Sequence, residues 1–355
     1  MARTDPAAQR SQLAEQRHKV DFDSYDVTVD ELVRRVGRNR IEIAPAYQRQ
    51  FRWDLPRQAR LIESLLLGIP VPSLFMATNV DEDRGTTWEV VDGLQRLLTL
   101  VNFLGDEDVR KAARLEGGPT RLIGLEKLTE LEGQGAASLP TDILTGLQDR
   151  PIKVIVLNDK SDLKVRFDLF ERLNTGGIKL TDQEVRGSVF MGEFIDLLEE
   201  LSTLPSFQQV VVLPKAQQQD ASAQEYVLRF FAFLDRYKDF DHSVKDFLND
   251  YCEFGAAAPN LEERRKTFVE TFDYLARCFP GGLKTRKGTT PVNLFEGVSV
   301  GARLALNAEP RLKVPGDLSW VQSDEMKAVT TGATNNRSRV TGRIERSRDH
   351  FLSGS

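Results

Sequence analysis

The sequence predicts an α+β fold: an N-terminal half that mixes strands with helices, then a mostly helical C-terminal half. Three observations predict it. Runs rich in apolar and β-branched residues, at 73–80, 86–91 and 151–158, all fall before residue 160 and read as strands. Beyond that point the chain turns helical, apart from loops around Pro205–Pro214, Gly255–Pro259 and Pro280–Pro291. A composition of 40% hydrophobic and 28% charged residues over 355 residues belongs to a globular chain of one large or two ordinary domains.

Residues 1–20 are polar and mixed in charge, and read as a flexible or loosely helical leader without the apolar core of a secretory signal. Thr28 or Asp30 can cap a short helix reaching Val36, and Arg40–Ile43 reads as a strand ended by Pro45. The stretch 54–69 is an amphipathic helix with Asp54 at its cap, Pro56 in its first turn and Gly68 at its stop. The runs 73–80 and 86–91, joined by a charged turn at Asp81–Gly85, suggest a hairpin. Residues 105–150 are broken by Gly117-Gly118-Pro119 and Gly133-Gln134-Gly135 and read as a variable insertion, and 151–158 is a buried strand. Gly176-Gly177 ends a helix marked by Phe167, Phe170 and Leu173, and Thr181 with Glu184 forms a capping box for the next helix. The domain boundaries expected are thus 1–20, 21–160 and 161–355, the last ending in an arginine-rich tail.

No stretch approaches the ~20 apolar residues of a membrane helix, and the two cysteines, Cys252 and Cys278, suit a reducing compartment as buried packing residues. A cytoplasmic protein is expected. The net charge of −5 argues against a simple electrostatic nucleic-acid binder. The tail is different: Arg337, Arg339, Arg343, Arg346 and Arg348 crowd 335–350, either as a phosphate-binding end or as a solvated terminal helix.

Three polar constellations carry the chemistry. In Asp92-Gly93-Leu94-Gln95-Arg96 a strand gives way to a helix. Glycine there lets backbone approach a ligand, the helix start offers N–H groups to a phosphate, and arginine adds a charged fork. Asp92 could orient a nucleophilic water or hold a metal-bound one. Tyr47-Gln48-Arg49 with Phe51 and Trp53 is dense in groups that stack on bases and grip phosphates, though a strand with alternating aromatics reads equally well. Asn174, Thr175 and Gly176 sit on a tight turn between helices, where amide and hydroxyl can face a ligand or merely punctuate the chain.

Taken together, Tyr47-Gln48-Arg49-Gln50-Phe51-Arg52-Trp53, Asp92-Gly93-Leu94-Gln95-Arg96-Leu97-Leu98-Thr99-Leu100 and Asn174-Thr175-Gly176-Gly177-Ile178-Lys179-Leu180 resemble, in order and approximate spacing, the N-terminal domain of GmrSD-type modification-dependent restriction proteins. That resemblance implies a ParB/sulfiredoxin-like N-terminal domain. It also implies a nucleoside triphosphate bound and hydrolysed in defence against foreign or modified DNA. The site it implies joins Asp92 and Arg96 as catalytic groups, Asp92 also meeting Mg²⁺, with Tyr47, Gln48, Arg49, Trp53, Gly93, Gln95, Asn174, Thr175 and Gly176 around the nucleotide. Leu94 departs from the family's D-G-Q-Q-R, which leaves turnover or nucleotide preference open.

No Walker A loop is present, and His18, His242 and His350 lie at no metal-ligand spacing, so a nuclease of the H-N-H kind would come from a separate partner. Two further readings stand beside the hydrolase: a DNA-binding adaptor that turns nothing over, in which Arg337, Arg339 and Arg343 of the tail meet nucleic acid, and a Mg²⁺-dependent nuclease. Homo-oligomerisation is left open.

Overall fold

The computed structural model describes residues 9–11, 21–43, 53–81, 85–158, 167, 181–190, 192–218, 220–257, 260–285, 288–332 and 334–354. The chain divides into two compact units, Met1–Lys179 and Leu180–Ser355. The α+β expectation holds, with the strands in the first unit and a helical second unit.

Unit 1 is built on a five-stranded mixed sheet of order β1-β5-β3-β4-β2. Its strands are β1 (Phe22–Thr28), β2 (Ile41–Glu42), β3 (Leu74–Asp81), β4 (Gly85–Asp92) and β5 (Pro151–Leu157). The hairpin read from the sequence is present as antiparallel β3–β4, and β5 runs parallel to β3 with Ile152, Val154 and Val156 buried. Strand β1 was not expected. It pairs antiparallel with β5 from Phe22↔Leu157 to Thr28↔Pro151, and its residues 22–26 are exposed, so no apolar alternation announces it.

Helix α1 (Val29–Gly37) starts where Thr28 Oγ1 accepts from Glu31 N, which decides between the two caps expected. Helix α2 (Leu55–Leu66) begins as read, with Asp54 Oδ1 accepting from Arg57 N at 3.0 Å and Pro56 in the first turn. Gly68 follows its end at φ 75°, where a side chain would be strained. Helix α3 (Leu94–Leu104) leaves the sheet at the end of β4, and α1 and α2 pack against it. The stretch 105–150 is not loose: it holds α4 (Glu107–Ala112), two 3₁₀ turns and α5 (Thr141–Gln148). Glu63 of α2 clips it in place by accepting the backbone N–H groups of Lys127 at 2.7 Å, Leu128 at 2.8 Å and Glu126 at 3.3 Å.

Unit 2 opens with α6 (Asp182–Val189), whose Thr181–Glu184 capping box is complete in both directions. There follow α7 (Glu193–Ser202), α8 (Pro205–Val210), α9 (Ser222–Arg236), α10 (Val244–Ala257), α11 (Leu261–Cys278), α12 (Val292–Ala308), α13 (Asp324–Thr330) and α14 (Arg337–Ser353). The region expected as a loop after Pro205 begins instead with α8, because Phe207 and Val210 are buried and proline suits a helix's first turn. Phe207, Phe230, Phe268, Phe272 and Phe295 form an aromatic cluster at its centre, Phe268 and Phe272 stacking at 4.2 Å between ring centroids. Cys252 and Cys278 are buried as expected, and burial pushes their thiols up to about 12 and about 11, far from a reactive range.

The arginine-rich end is a helix, as one of the two readings had it, but with one face buried against the rest of unit 2. Helix α14 lies against α12 so closely that a Cβ on Gly301 would come within 2.5 Å of Ser347 Cβ. Val340, Arg343, Ile344, Ser347 and Phe351 are buried on that face. Arg343 is fully buried, its Nη2 paired with Glu296 and its Nη1 donating to Thr334 O at 3.0 Å. A guanidinium so placed is withdrawn from solvent, which corrects its reading as a phosphate contact.

Candidate functional site

The strand-to-helix junction of unit 1 is built as its residue types require. β4 ends at Asp92, opposite Phe75 of β3, one residue from an irregularity in the register between Phe75 and Met76. Gly93 then takes φ 96°, ψ 13°, a left-handed conformation that glycine adopts without strain. Space demands glycine as well, because a Cβ would stand 2.3 Å from Leu74 Cδ2. Gly93 has no side chain with which to cap α3, and the helix's first turn brings its backbone N–H groups and the positive end of its dipole to the junction.

Arg96 and Asp92 form one unit. Arg96 Nη2 meets Asp92 Oδ2 at 2.6 Å, and Nη1 donates to the carbonyls of Pro72 at 2.5 Å and Ser73 at 3.1 Å. The arginine side chain is only 13% exposed, whereas Asp92 is 35% exposed. The charged fork is therefore a partly buried bracket. It fixes the loop before β3 and the Asp92 carboxylate. Among the described residues, Nε and one Nη2 hydrogen of its five donors, and Oδ1 of Asp92, make no hydrogen bond.

Gln95 joins this junction to the end of the 45–53 stretch: its Oε1 accepts from Trp53 N at 3.1 Å. The link continues inward. Gln58 Nε2 donates to Trp53 O at 2.8 Å, Thr120 Oγ1 donates to Gln58 Oε1 at 2.6 Å, and Asn102 Nδ2 donates to Thr120 Oγ1 at 2.8 Å. Arg110 Nε closes the chain on Asn102 Oδ1 at 3.0 Å. Gln58, Thr120 and Asn102 are all buried, so this polar line is part of the fold's interior. Sequence reasoning missed these three. The signal was there: Gln58 and Asn102 occupy the buried faces of α2 and α3, beside Ala59 and Ile62 and beside Leu98 and Val101.

The structure thus brings together Trp53, Asp92, Gly93, Gln95 and Arg96. Tyr47, Gln48 and Arg49, and Asn174, Thr175 and Gly176, lie outside the described residues. Arg337 and Arg339 belong to unit 2, where Arg337 Nε donates to Lys238 O at 2.7 Å and Arg339 Nη1 to Thr331 O at 3.3 Å. Among the described residues there is no group of three or more His, Cys, Asp or Glu that could hold a metal ion. Asp92 Oδ1 can supply one oxygen, which suits Mg²⁺ only where phosphate oxygens and water complete its shell.

Residues 29–191 match the family model of the GmrSD restriction endonuclease, N-terminal domain. Among solved structures, one similar chain is the C2221 form of a Pnob8-like ParB-N domain. It is 9% identical, with 95% of this chain and 98% of that chain covered and a TM-score of 0.24. A likeness of that size carries no argument. No curated protein matches the chain.

Proposed function

We propose that the Asp92–Arg96 junction binds a nucleoside triphosphate and supports its hydrolysis in a restriction response to foreign or modified DNA, a reading supported by the match of residues 29–191 to the GmrSD restriction endonuclease, N-terminal domain. The observation that carries this reading is the Gly93 turn. It sets a helix start with no capping side chain on Gly93 beside a fixed carboxylate–guanidinium pair, with Gln95 tying in Trp53. Backbone N–H groups at a helix start favour phosphate oxygens.

In this reading Arg96 has two tasks. Through Asp92 and the Pro72 and Ser73 carbonyls it holds the junction in shape, and its remaining N–H groups reach a phosphate oxygen. Asp92, held at Oδ2, turns Oδ1 toward a water and accepts its proton as that water attacks the terminal phosphorus, the bond from that phosphorus to the β–γ bridging oxygen breaks, and the nucleoside diphosphate and phosphate leave. Trp53 and Tyr47 flank the base, and Gln48, Arg49, Asn174, Thr175 and Gly176 complete the pocket. Mg²⁺, when bound through Asp92 and the phosphates, supplies charge neutralisation. DNA is the expected partner, with cleavage left to a separate nuclease.

A second reading is favoured by Leu94, which is half-buried and apolar where the family carries glutamine. Leucine orients no water, so the site would bind without turnover, as an adaptor. Calorimetric titration with ATP, GTP, CTP and UTP, with and without duplex DNA, tests the shared premise. Arg96→Ala is expected to weaken the preferred triphosphate about 10- to 150-fold, or about 1.5–3 kcal/mol for charge-assisted bonds. Unchanged affinity in a folded variant would remove Arg96 from the site.

A further inference from the structure

Strand β1 forms one edge of the sheet in unit 1, and among the described residues it pairs only with β5. Its residues 22–26 are exposed, Phe22 at 54% and Tyr25 at 43%. The register decides which backbone groups β5 uses. Asn158 N donates to Asp21 O and Val29 N donates to Arg150 O, each at 3.0 Å. Both pairs extend, in register, the ladder that runs from Phe22↔Leu157 to Thr28↔Pro151. In an antiparallel ladder, opposed residues alternate between pairs that exchange both hydrogen bonds and pairs that exchange none. The odd-numbered residues from Asp21 to Val29 are therefore the ones bonded to β5. Phe22, Ser24 and Asp26 turn their N–H and C=O groups to the open edge.

Open edges are commonly protected by lysine, proline or a bulge. Phe22–Thr28 contains no lysine and no proline, and its ladder runs without interruption. Its charges are Asp23 and Asp26, and β5 answers both from the inner side. Asn158 Nδ2 donates to Asp23 Oδ2 at 3.2 Å, and Lys153 Nζ meets Asp26 Oδ1 at 3.1 Å. The edge keeps its unpaired backbone groups in solvent, flanked by two exposed aromatic rings.

We propose that this edge docks the same edge of a second copy of the chain, the two β1 strands running antiparallel about a two-fold axis at Ser24 and joining two sheets into one. Charge selects the axis, because like charges directly opposite destabilise a strand pair. An axis at Phe22 sets Asp21 opposite Asp23, and an axis at Asp23 or Asp26 sets that aspartate opposite itself. An axis at Tyr25 needs Thr28, where the chain leaves the sheet for α1. At Ser24, Asp23 faces Tyr25 of the other copy, Asp26 faces Phe22, and no aspartate opposes another. The outward groups of Phe22, Ser24 and Asp26 then all find partners, two hydrogen bonds for each of three pairs. So small a contact gives a reversible, concentration-dependent dimer.

Sedimentation velocity of the full chain, run from low to high concentration, is expected to show a monomer–dimer equilibrium. Hydrogen exchange at Phe22, Ser24 and Asp26 should slow as concentration rises, while Asp23, Tyr25 and Val27, already bonded to β5, keep their rates. That pattern is read on the wild type and needs no variant. Ser24→Pro removes an N–H from the outer edge and none from the inner ladder. It takes two bonds from the dimer, one per copy, and should weaken dimerisation roughly 30-fold at an unchanged melting temperature, while Ser24→Thr keeps it. A chain that stays monomeric throughout overturns the proposal and leaves the edge to a strand of another protein. A dimer whose Phe22, Ser24 and Asp26 amides exchange as in the monomer, or one that folded Ser24→Pro forms with wild-type affinity, overturns it as well.

Discussion

Arg96 of unit 1 and Arg343 of unit 2 look alike in the sequence, each a helical arginine beside other polar residues, and the structure puts them to opposite uses. Arg96 stays at the edge, sharing its donors between Asp92 and two carbonyls with hydrogens to spare. Arg343 sits in the interior against Glu296, where it fastens α14 to α12. The difference lies in the partners. An aspartate on a strand end, 35% exposed, leaves its arginine near solvent, whereas a fully buried glutamate on a neighbouring helix draws the arginine in. Arginine density alone therefore says little about nucleic acid.

The comparison breaks most forcefully at Glu296. Glu296→Ala leaves Arg343 and Arg229 buried without their shared carboxylate, and should destabilise unit 2 by about 3–5 kcal/mol. Denaturant unfolding of the variant measures this, and a loss below about 1 kcal/mol, the level of an exposed pair, would put Arg343 in the same class as a surface arginine.

Gly93 sharpens the other side. Gly93→Ala must adopt φ 96° and displace Leu74 Cδ2, at an expected cost of about 1–3 kcal/mol. Adding Leu74→Ala removes the clash but not the backbone strain. A double variant whose Gly93→Ala step costs nothing would show that close approach alone, and not the left-handed turn, demands glycine.

Glu63 gives a smaller effect with a pH signature. Burial pushes its carboxyl up, but the N–H groups of Leu128, Lys127 and Glu126, with Arg60 nearby, more than offset this and hold it below the ordinary 4.5. A lowered folded value means the stabilisation is complete above pH 4.5 and is lost as pH falls through that lower value. Amide exchange at 126–128 should accelerate over that interval in the wild type. Glu63→Gln should exchange faster already at neutral pH, about 1–2 kcal/mol less protected.

Much of this was legible in the sequence, for identifiable reasons. Caps at Asp54 and Thr181, the β3–β4 hairpin and the buried β5 announce themselves through local residue preferences. Strand β1 did not, because Phe22–Asp26 faces solvent and is held by its backbone ladder to β5. The site showed the same division. Asp92, Gly93 and Arg96 follow from local chemistry, but the line from Gln95 through Trp53, Gln58 and Thr120 to Asn102 joins residues up to 62 positions apart. Such pairings follow from tertiary packing and leave only a faint mark, a polar residue on an apolar helix face. The misread end of the chain has the same origin: Val340, Ile344, Ser347 and Phe351 were spaced for burial, and the arginines between them concealed it.

Phosphate release from a triphosphate panel, measured with duplex DNA for the wild type, Asp92→Asn and Leu94→Gln, tests the central claim most directly. If Asp92 holds the attacking water, the wild type releases phosphate, Leu94→Gln changes the rate modestly, and Asp92→Asn abolishes release. No release from the wild type or Leu94→Gln, despite tight binding, would make the chain an adaptor. Release that persists undiminished in Asp92→Asn would contradict the assignment of the catalytic group.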